Sequence, residues 1–250
     1  MEKLPETYLG VVVSGETRSF AYAAVTDGLN VLALGGGSLE DAAAYAAGQT
    51  SALVAVQAAR RPNLWLMASE QVRDKLQPAL FAGRPANLRL AEWHLQQRGV
   101  AVQRTPAALK DCPAWMRQGF AFYDQLERLG YQCYPSGGAL QYFEVHCGAA
   151  FAVLLKTVFA AGTLEGRLQR QLALVEQGMD LPDPMDFFEE VTRHRLLQGV
   201  LPFEKVYAQA ELDALCAAWL AWLAVHAPDR LVALGDEREG LVYVPALVDE

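Results

Sequence analysis

Short apolar segments and turn residues alternate along the first part of the chain, a pattern that predicts strands. Tyr8–Val13 is a continuous apolar and β-branched run, which is typical of a strand buried on both faces. Ser19–Val25 partly alternates between apolar and polar residues, and Asp27 with Gly28 is a strong turn signal before the apolar run Leu29–Leu34. We therefore predict a meander of three antiparallel strands at the start of the chain.

A helix and a fourth strand are predicted after the meander. The glycines at 35–37 are expected to break the chain, and Ser38 is a suitable N-cap for a helix that runs to about Gln49, with Asp41 at its third position. The apolar run Ser51–Val56 is predicted as another fully buried strand. A helical connection between two such strands favours parallel pairing through a right-handed crossover.

The middle of the chain, from about residue 60 to 130, is predicted to be a mostly helical insertion that prolines interrupt. Leu88–Gln97 and Trp115–Leu129 have the clearest helical patterns within it. Two further strands, Tyr131–Tyr134 and Leu140–Val145, are predicted around a Ser-Gly-Gly turn. The second of them is a candidate fifth strand of the sheet.

Helices dominate the prediction for the last hundred residues. Three are predicted within a helical segment at about 147–200, namely Cys147–Phe159, Leu164–Gln177 and Pro184–Gln198. The final helix, Ala208–His226, has apolar residues at i, i+3 and i+4 spacing, which indicates a face directed to the core. Leu231–Leu234 and Leu241–Val244 are predicted as short closing strands. Because no linker or repeat divides the chain, we expect one domain, residues 1–250.

The composition is typical of a soluble globular protein. The chain has 250 residues, 52% of them hydrophobic, and its 21 Lys and Arg against 29 Asp and Glu give a net charge of −8. The longest apolar run, Ala214–Val225, is shorter than the roughly 20 residues that span a bilayer, and the N-terminus lacks the pattern of a secretory signal. We therefore expect a cytoplasmic protein without membrane contact. The acidic balance disfavours generic binding to nucleic acid.

The cysteines show neither disulfide nor metal-ligand spacing. They are Cys112, Cys133, Cys147 and Cys216. We interpret them as buried, inert thiols, because free cysteine is among the most buried residue types. No zinc site and no disulfide framework is expected, and the residues by themselves imply no cofactor.

Short motifs along nearly the whole chain carry a family resemblance. They are Gly10–Gly15, Val54–Pro62, Arg89–Glu92, Arg98-Gly99, Thr105-Pro106, Phe143–His146, Leu164–Arg167 with Arg170, Thr192–Leu197, Glu211–Leu215, and Gly235-Asp236 with Glu239-Gly240. In these motifs the chain resembles an uncharacterised family described as predicted RNase-H-like nucleases. The resemblance implies an α/β fold of ribonuclease-H-like type, with a mixed sheet of a three-strand meander plus parallel strands and with helical insertions.

The resemblance also implies a chemistry. Nucleases of this fold hold two Mg²⁺ or Mn²⁺ ions with carboxylates and hydrolyse phosphodiester bonds. Family members carry aspartates in the first-strand and fourth-strand motifs, where this sequence has Val12 and Gln57. The family carboxylates that remain are Glu144 and Asp213. Because neither valine nor a neutral amide replaces an anionic ligand, we expect two-metal hydrolysis to be lost and Glu144 and Asp213 to be relict catalytic and metal-binding residues.

Other interpretations of these residues stay open. A rearranged acidic site, in which Glu16 or Asp236 joins Glu144 and Asp213, would keep a nuclease that depends on Mg²⁺ or Mn²⁺. Asp213 is equally expected near the start of its helix because the helix dipole favours a carboxylate there. Glu144 is also consistent with the outward position of an alternating strand. His146 is interpreted as a structural histidine.

Arginines support a second function hypothesis. Arg60, Arg61, Arg167 and Arg170 lie in the motifs named above, and a guanidinium group is suited to phosphate. Arg167 and Arg170 share a helix face, because residues three apart on a helix are neighbours. They predict a non-catalytic module that binds nucleic acid or a phosphorylated ligand. The structural alternative is a helix surface on which these arginines form ordinary salt bridges.

A third hypothesis is a protein-interaction scaffold whose former active-site surface is an interface. Aromatic residues of the insertion would anchor such a partner: Trp65, Trp93, Trp115 and Tyr123. The same residues are typical of a hydrophobic core, and a homodimer through one of these helices is left open. The sequence thus predicts a catalytically degenerate member of a nuclease family and leaves its substrate undefined.

Overall fold

The computed structural model describes residues 4–13, 20–74, 76 and 87–247. Within these residues the chain forms an eight-stranded mixed sheet with helices on both faces. The strands are β1 Thr7–Val13, β2 Phe20–Val25, β3 Val31–Gly37, β4 Ala52–Gln57, β5 Gln132–Cys133, β6 Leu140–Val145, β7 Leu231–Asp236 and β8 Gly240–Pro245. The helices are α1 Leu39–Ala47, α2 Glu70–Arg73, α3 Leu90–Gln97, α4 Ala114–Arg128, α5 Cys147–Leu154, α6 Leu164–Glu176, α7 Asp186–Glu190, α8 Arg193–Leu197 and α9 Gln209–His226.

The strand order is β3-β2-β1-β4-β6-β8-β7, with the short β5 paired to β6. β1, β2 and β3 form an antiparallel meander, whereas β4, β6 and β8 continue the sheet parallel to β1. α1 connects β3 to β4, and Ser38 caps it by accepting a hydrogen bond from the Asp41 N–H. A mixed α/β fold is therefore confirmed, as are the meander and the parallel pairing of the first and fourth strands.

The sheet separates two hydrophobic cores. Tyr8, Val12 and Phe143 contribute to the core under α9, and Leu9 and Val11 contribute to the core on the other face. Side chains along a strand point alternately to its two faces, so a strand between two cores is apolar throughout. All residues of β1 are buried, which confirms the prediction from its sequence.

The helix α9 lies close against β1. A Cβ atom at Gly10 would be 2.0 Å from the carbonyl oxygen of Ala214 and 2.3 Å from the backbone nitrogen of Ala218. The two elements run antiparallel, because Tyr8 near the start of β1 lies 3.1 Å from Nε2 of His226 at the end of α9. The absence of a side chain at Gly10 therefore sets the distance between helix and sheet.

The apolar character of α9 is explained by this position. The segment Phe203–His226 is long and apolar enough to cross a membrane by composition alone. In the fold, Leu212, Leu215 and Trp219 on this helix are completely buried against the sheet and its neighbours. The helix thus has the composition of a core helix.

The predicted chain break at residues 35–37 is wrong. These glycines continue β3, and Gly37 pairs with Phe20 on the neighbouring strand. A Cβ atom at Gly35 would lie 3.1 Å from the ring of Tyr22, so the ring covers the bare backbone. Glycine weakens a strand but does not end it where cross-strand hydrogen bonds and a neighbouring ring compensate.

The middle of the chain is less helical than the sequence predicts. The helices predicted at Leu88–Gln97 and Trp115–Leu129 are present as α3 and α4, but α2 has 4 residues and much of the remaining described segment has no α-helix. Prolines at 62, 106 and 113 lack a backbone N–H and therefore limit helix length. α3 lies between Pro62 and Pro106, and α4 begins directly after Pro113.

Three further predictions need correction. The single helix expected at Pro184–Gln198 forms as α7 and α8, because Thr192 is extended and caps the second helix by accepting from the Arg195 N–H at 3.1 Å. The helix predicted from Cys147 to Phe159 ends at Leu154. β5 has 2 residues and runs parallel to β6, so the two strands do not form a hairpin.

Candidate functional site

Val12 and Gln57 lie side by side at the carboxyl ends of β1 and β4, where they pair in register. Val12 is 4% exposed and belongs to the core under α9. Because α9 runs antiparallel to β1 and Ala214 faces Gly10, Val12 lies over the first turns of the helix, close to the position of Asp213. The structure therefore brings three of the predicted positions, Val12, Gln57 and Asp213, to the same edge of the sheet.

Cys147 joins Gln57 to Asp213. Its backbone N–H donates to Oε1 of Gln57 at 2.9 Å, and its thiol donates to the carbonyl oxygen of Asp213 at 3.1 Å. Burial raises the pKa of the Cys147 thiol well above its ordinary value, so the sulfur is neutral and unreactive. Sequence spacing did not reveal this contact, which fixes the start of α5 to the end of β4.

The carboxyl group of Asp213 has an unusual environment. Burial raises its pKa to about 6, and the attraction of Arg170 and a hydrogen bond from Gln209 offset only part of this shift. Among the residues that the structure describes, no three His, Cys, Asp or Glu side chains are grouped so that they could hold a metal ion. Asp213 thus lies at the expected edge without a set of anionic neighbours.

Glu144 lies on the other face of the sheet. Phe143 and Val145 on either side of it belong to the core under α9, so strand alternation directs Glu144 away from that core. The carboxylate is therefore separated from Asp213 by the sheet. The expected grouping of Glu144 with Asp213 in one relict metal site needs correction, because strand alternation directs Glu144 to the opposite face of the sheet.

Glu144 instead binds a buried arginine. Nη1 and Nη2 of Arg89 donate to its two carboxylate oxygens at 2.7 and 2.8 Å, and the Arg60 backbone N–H donates to Oε2 at 3.0 Å. Nη2 of Arg89 also donates to the carbonyl oxygen of Glu239 at 2.8 Å. Although burial lowers the pKa of Arg89, the charge of Glu144 raises it above its ordinary value. Arg89 is therefore always charged.

Two more carboxylates surround this ion pair. Glu92 accepts from the backbone N–H groups of Arg89 at 3.0 Å and Thr105 at 2.9 Å, and burial raises its pKa. Glu239 accepts from the Leu90 N–H at 3.0 Å. Four motifs that carry the family resemblance, at 89–92, 105–106, 143–146 and 239–240, thus meet in one buried network. Sequence reasoning did not pair them, although an arginine beside a helix start and a glutamate inside an apolar strand were signals.

A cavity of about 380 Å³ lies beside the network, at the carboxyl edge of the parallel strands. Crevices at this edge are the usual ligand sites of open α/β sheets. Apolar residues from several elements form much of the wall, including Val13, Leu95, Trp115 and Met116. The polar wall residues include Gln57, Arg89, Glu92, Thr105, Glu144 and His146. The cavity thus combines an apolar surface with a few positioned polar groups.

His146 caps α5 from the cavity wall. Its Nδ1 accepts from the Ala149 N–H at 3.0 Å, and burial lowers the pKa of the ring. The ring is therefore neutral at pH 7, and its proton lies on Nε2, since Nδ1 acts as an acceptor. The structural role expected for His146 is present, and it leaves one N–H donor at the cavity.

Comparison with known proteins provides no relative for this arrangement. No protein-family model, no curated protein and no solved structure matches the chain. The chemistry of the site is therefore inferred from its own residues.

Arg60 and Arg61 have intramolecular partners. Nη2 of Arg60 donates to Glu127 at 3.1 Å, and its guanidinium lies over the ring of Tyr142 at 5.2 Å. Nη1 of Arg61 donates to the carbonyl oxygen of Arg238 at 3.1 Å. Both arginines therefore stabilise contacts between distant segments of the chain.

Arg167 and Arg170 do not act together. Nε and Nη2 of Arg167 donate to the carbonyl oxygens of Tyr207 at 2.7 Å and Val206 at 2.6 Å. Arg170 donates to the carbonyl oxygen of Phe159 at 3.0 Å. Although three residues apart on α6, the two side chains anchor different loops. Their donors are directed to backbone oxygens within the protein.

The remaining candidate residues are dispersed. Asp236 pairs with Arg238 at 2.9 Å, and Glu16 lies outside the described residues. The aromatic residues also differ in position: Trp93 and Tyr123 are buried in the core, Trp115 lines the cavity, and Trp65 is exposed. They do not form a common surface for a partner.

Proposed function

We propose that this protein is an RNase-H-like domain that has lost two-metal hydrolysis and acts by binding a ligand at the carboxyl edge of its sheet. The strand order β3-β2-β1-β4-β6, the crossover helix α1 and the late helix α9 against β1 support the RNase-H-like assignment. The hydrogen bond from the Cys147 N–H to Oε1 of Gln57 is the observation that carries the proposed loss of hydrolysis.

The residues at this edge do not fit a pair of Mg²⁺ or Mn²⁺ ions. These ions need several anionic or carbonyl oxygens. Val12 offers none, and the single side-chain oxygen of Gln57 already accepts from Cys147. Glu144 lies on the opposite face with both oxygens bound to Arg89. Asp213 alone remains of the four family positions, so the proposed function contains no metal-dependent step.

Ligand binding is favoured over a purely structural role by the cavity. It lies at the same edge, and its wall brings together Gln57, His146 and the Arg89 network. Such a crevice, with apolar walls and a few positioned polar groups, is the usual form of a small-molecule site.

A protein-interaction scaffold is the second candidate, and one observation favours it. Several large apolar side chains in and around α7 and α8 are exposed: Met185, Phe188, Leu196, Leu197, Val200 and Phe203. Contiguous exposed apolar surface often marks an interface. Sedimentation equilibrium of the wild type and of Leu197→Asp tests this candidate, since an interface on this segment predicts self-association or complex formation that the variant loses.

The decisive experiment for the first candidate compares cleavage and ion binding in matched variants. We expect the wild type to show no Mn²⁺-dependent cleavage of single-stranded DNA or RNA and no saturable Mn²⁺ binding by calorimetry. The variant Val12→Asp/Gln57→Asp restores two carboxylates beside Asp213 and should gain Mn²⁺-dependent thermal stabilisation. Adding Asp213→Asn should remove that gain. Cleavage by the wild type that Asp213→Asn abolishes would overturn the proposal, whether or not the double variant folds.

A further inference from the structure

The cavity presents hydrogen-bond donors that lack protein partners. Oε1 of Gln57 accepts from Cys147, so its amide nitrogen is the free end, and no described residue accepts from it. Nδ1 of His146 accepts from the helix, so its Nε2–H is available. Gln57 and His146 are half-buried and line the cavity, so a ligand there can accept from both donors. Nε of Arg89 also has no hydrogen-bond partner among the described residues, but it has almost no accessible surface and is not counted among the donors open to the cavity.

The two carboxylates on the same wall already accept hydrogen bonds from the protein. Both oxygens of Glu144 accept from Arg89, and one of them also accepts from Arg60. One oxygen of Glu92 accepts a hydrogen bond from the Arg89 backbone N–H, and the other accepts one from the Thr105 backbone N–H. A ligand therefore gains little by donating hydrogen bonds to these carboxylates, and it binds best by supplying acceptors for the Gln57 and His146 donors.

The charge of the wall restricts the ligand further. One buried arginine faces two glutamates, so the fixed charge near the cavity is negative. His146 adds no positive charge, because burial favours its neutral ring. An anion would be repelled by this fixed charge, whereas a cation without acceptor atoms would leave the Gln57 and His146 donors unused.

We propose that this cavity binds a small uncharged ring compound whose carbonyl oxygen or ring nitrogen atoms accept from Gln57 and His146. The apolar wall, with Trp115 and Met116, accommodates the ring. A volume of about 380 Å³ is within the range of natural small-molecule sites. This inference rests on the proposed function, because it names the ligand class for the edge that is proposed to bind.

Three probes that share a benzene ring but differ in charge test the proposal: benzamide, benzoate and benzylamine. Titration of the ¹⁵N-labelled wild-type protein, followed by two-dimensional NMR, measures their affinities. Benzamide should give saturable shift changes at the backbone amides of residues 57–59 and 145–149. Benzoate should bind at least about tenfold more weakly because the negative wall repels it, and benzylamine should do so because it offers no acceptor to the two donors.

Two conservative variants remove single donors. Gln57→Glu keeps the oxygen that accepts from Cys147 but replaces the amide nitrogen, and His146→Asn keeps a side-chain oxygen that caps α5 but removes Nε2–H. Each should weaken benzamide binding about tenfold. Gln141→Glu is the matched control, because Gln141 bonds Ser136 and Gly138 away from the cavity. It should leave the affinity unchanged.

Benzoate or benzylamine binding as tightly as benzamide would overturn the proposed ligand class. The proposed site would be wrong if the benzamide titration showed no saturation. It would also be wrong if neither donor variant changed the affinity for benzamide. The proposed loss of hydrolysis fails on different evidence, namely wild-type cleavage of a polynucleotide. A protein that binds benzamide and also cleaves would retain the site and refute the proposed loss of catalysis.

Discussion

Arg89 and Glu144 form a buried two-point ion pair. Two nearly parallel hydrogen bonds of 2.7 and 2.8 Å join the guanidinium to the carboxylate, and the side chains are 1% and 7% exposed. The pair connects the start of α3 to β6 across the wall of the cavity. Each charge depends on the other, because neither has water to replace its partner.

Removal of Arg89 should be strongly destabilising. Arg89→Met leaves the buried carboxylate of Glu144 without its counter-ion, and we expect the free energy of unfolding to fall by about 3–5 kcal/mol in urea titrations. Arg195→Met is the control, because Arg195 pairs with Glu190 at a half-exposed site and its replacement should lower the free energy of unfolding far less. Similar losses in both variants would contradict a special role for the buried pair.

Gly10→Ala should separate α9 from β1. The added Cβ would meet the backbone of Ala214 at 2.0 Å and that of Ala218 at 2.3 Å, and backbone atoms of a core helix cannot move aside independently. We expect a loss of about 3 kcal/mol or more, at the upper end of the range for overpacking. Gly48→Ala, where the nearest atom is 3.5 Å away, should have a small effect. Equal melting temperatures for the two variants would refute the tight contact.

Asp213 should make stability depend on pH. Its pKa rises from 3.8 to about 6 on folding, so between these values the native state keeps a proton that the unfolded state has lost. The free energy of unfolding of the wild type therefore falls as pH rises from about 4 to 6, and the full cost persists above pH 6. Asp213→Asn removes this slope. Relative to the wild type, we expect the variant to gain about 2 kcal/mol between pH 4 and pH 7. A difference that does not change with pH would exclude the buried carboxyl group as the cause.

Arg167 should hold the segment before α9. Arg167→Ala frees the carbonyl oxygens of Val206 and Tyr207, and we expect faster hydrogen exchange in residues 200–210 with a loss of about 1–3 kcal/mol. Arg193→Ala, on the exposed side of α8, is the control and should leave exchange in 200–210 unchanged. Unchanged hydrogen exchange in Arg167→Ala would mean that Arg167 does not hold this segment, and Arg167 would again be a candidate phosphate-binding residue.

Local patterns predicted the elements that depend on neighbouring residues. The runs that became β1 and β4 are apolar throughout because both faces are covered, and the apolar spacing of α9 matches one turn of helix. Ser38 and Asp41 likewise form the predicted helix cap. Residues 35–37 were mispredicted because the hydrogen bonds and the Tyr22 ring that support them come from another strand.

The chain itself fixes which chemical groups are available. Val12 and Gln57 cannot contribute negative oxygens to a metal site wherever they lie, since this is a property of the side chains. Tertiary structure alone decided that Glu144 faces away from Asp213, and that its partner is Arg89, 55 residues distant in sequence. The physical reason is that strand register and packing, set by contacts across the whole sheet, determine the face and the neighbours of each side chain.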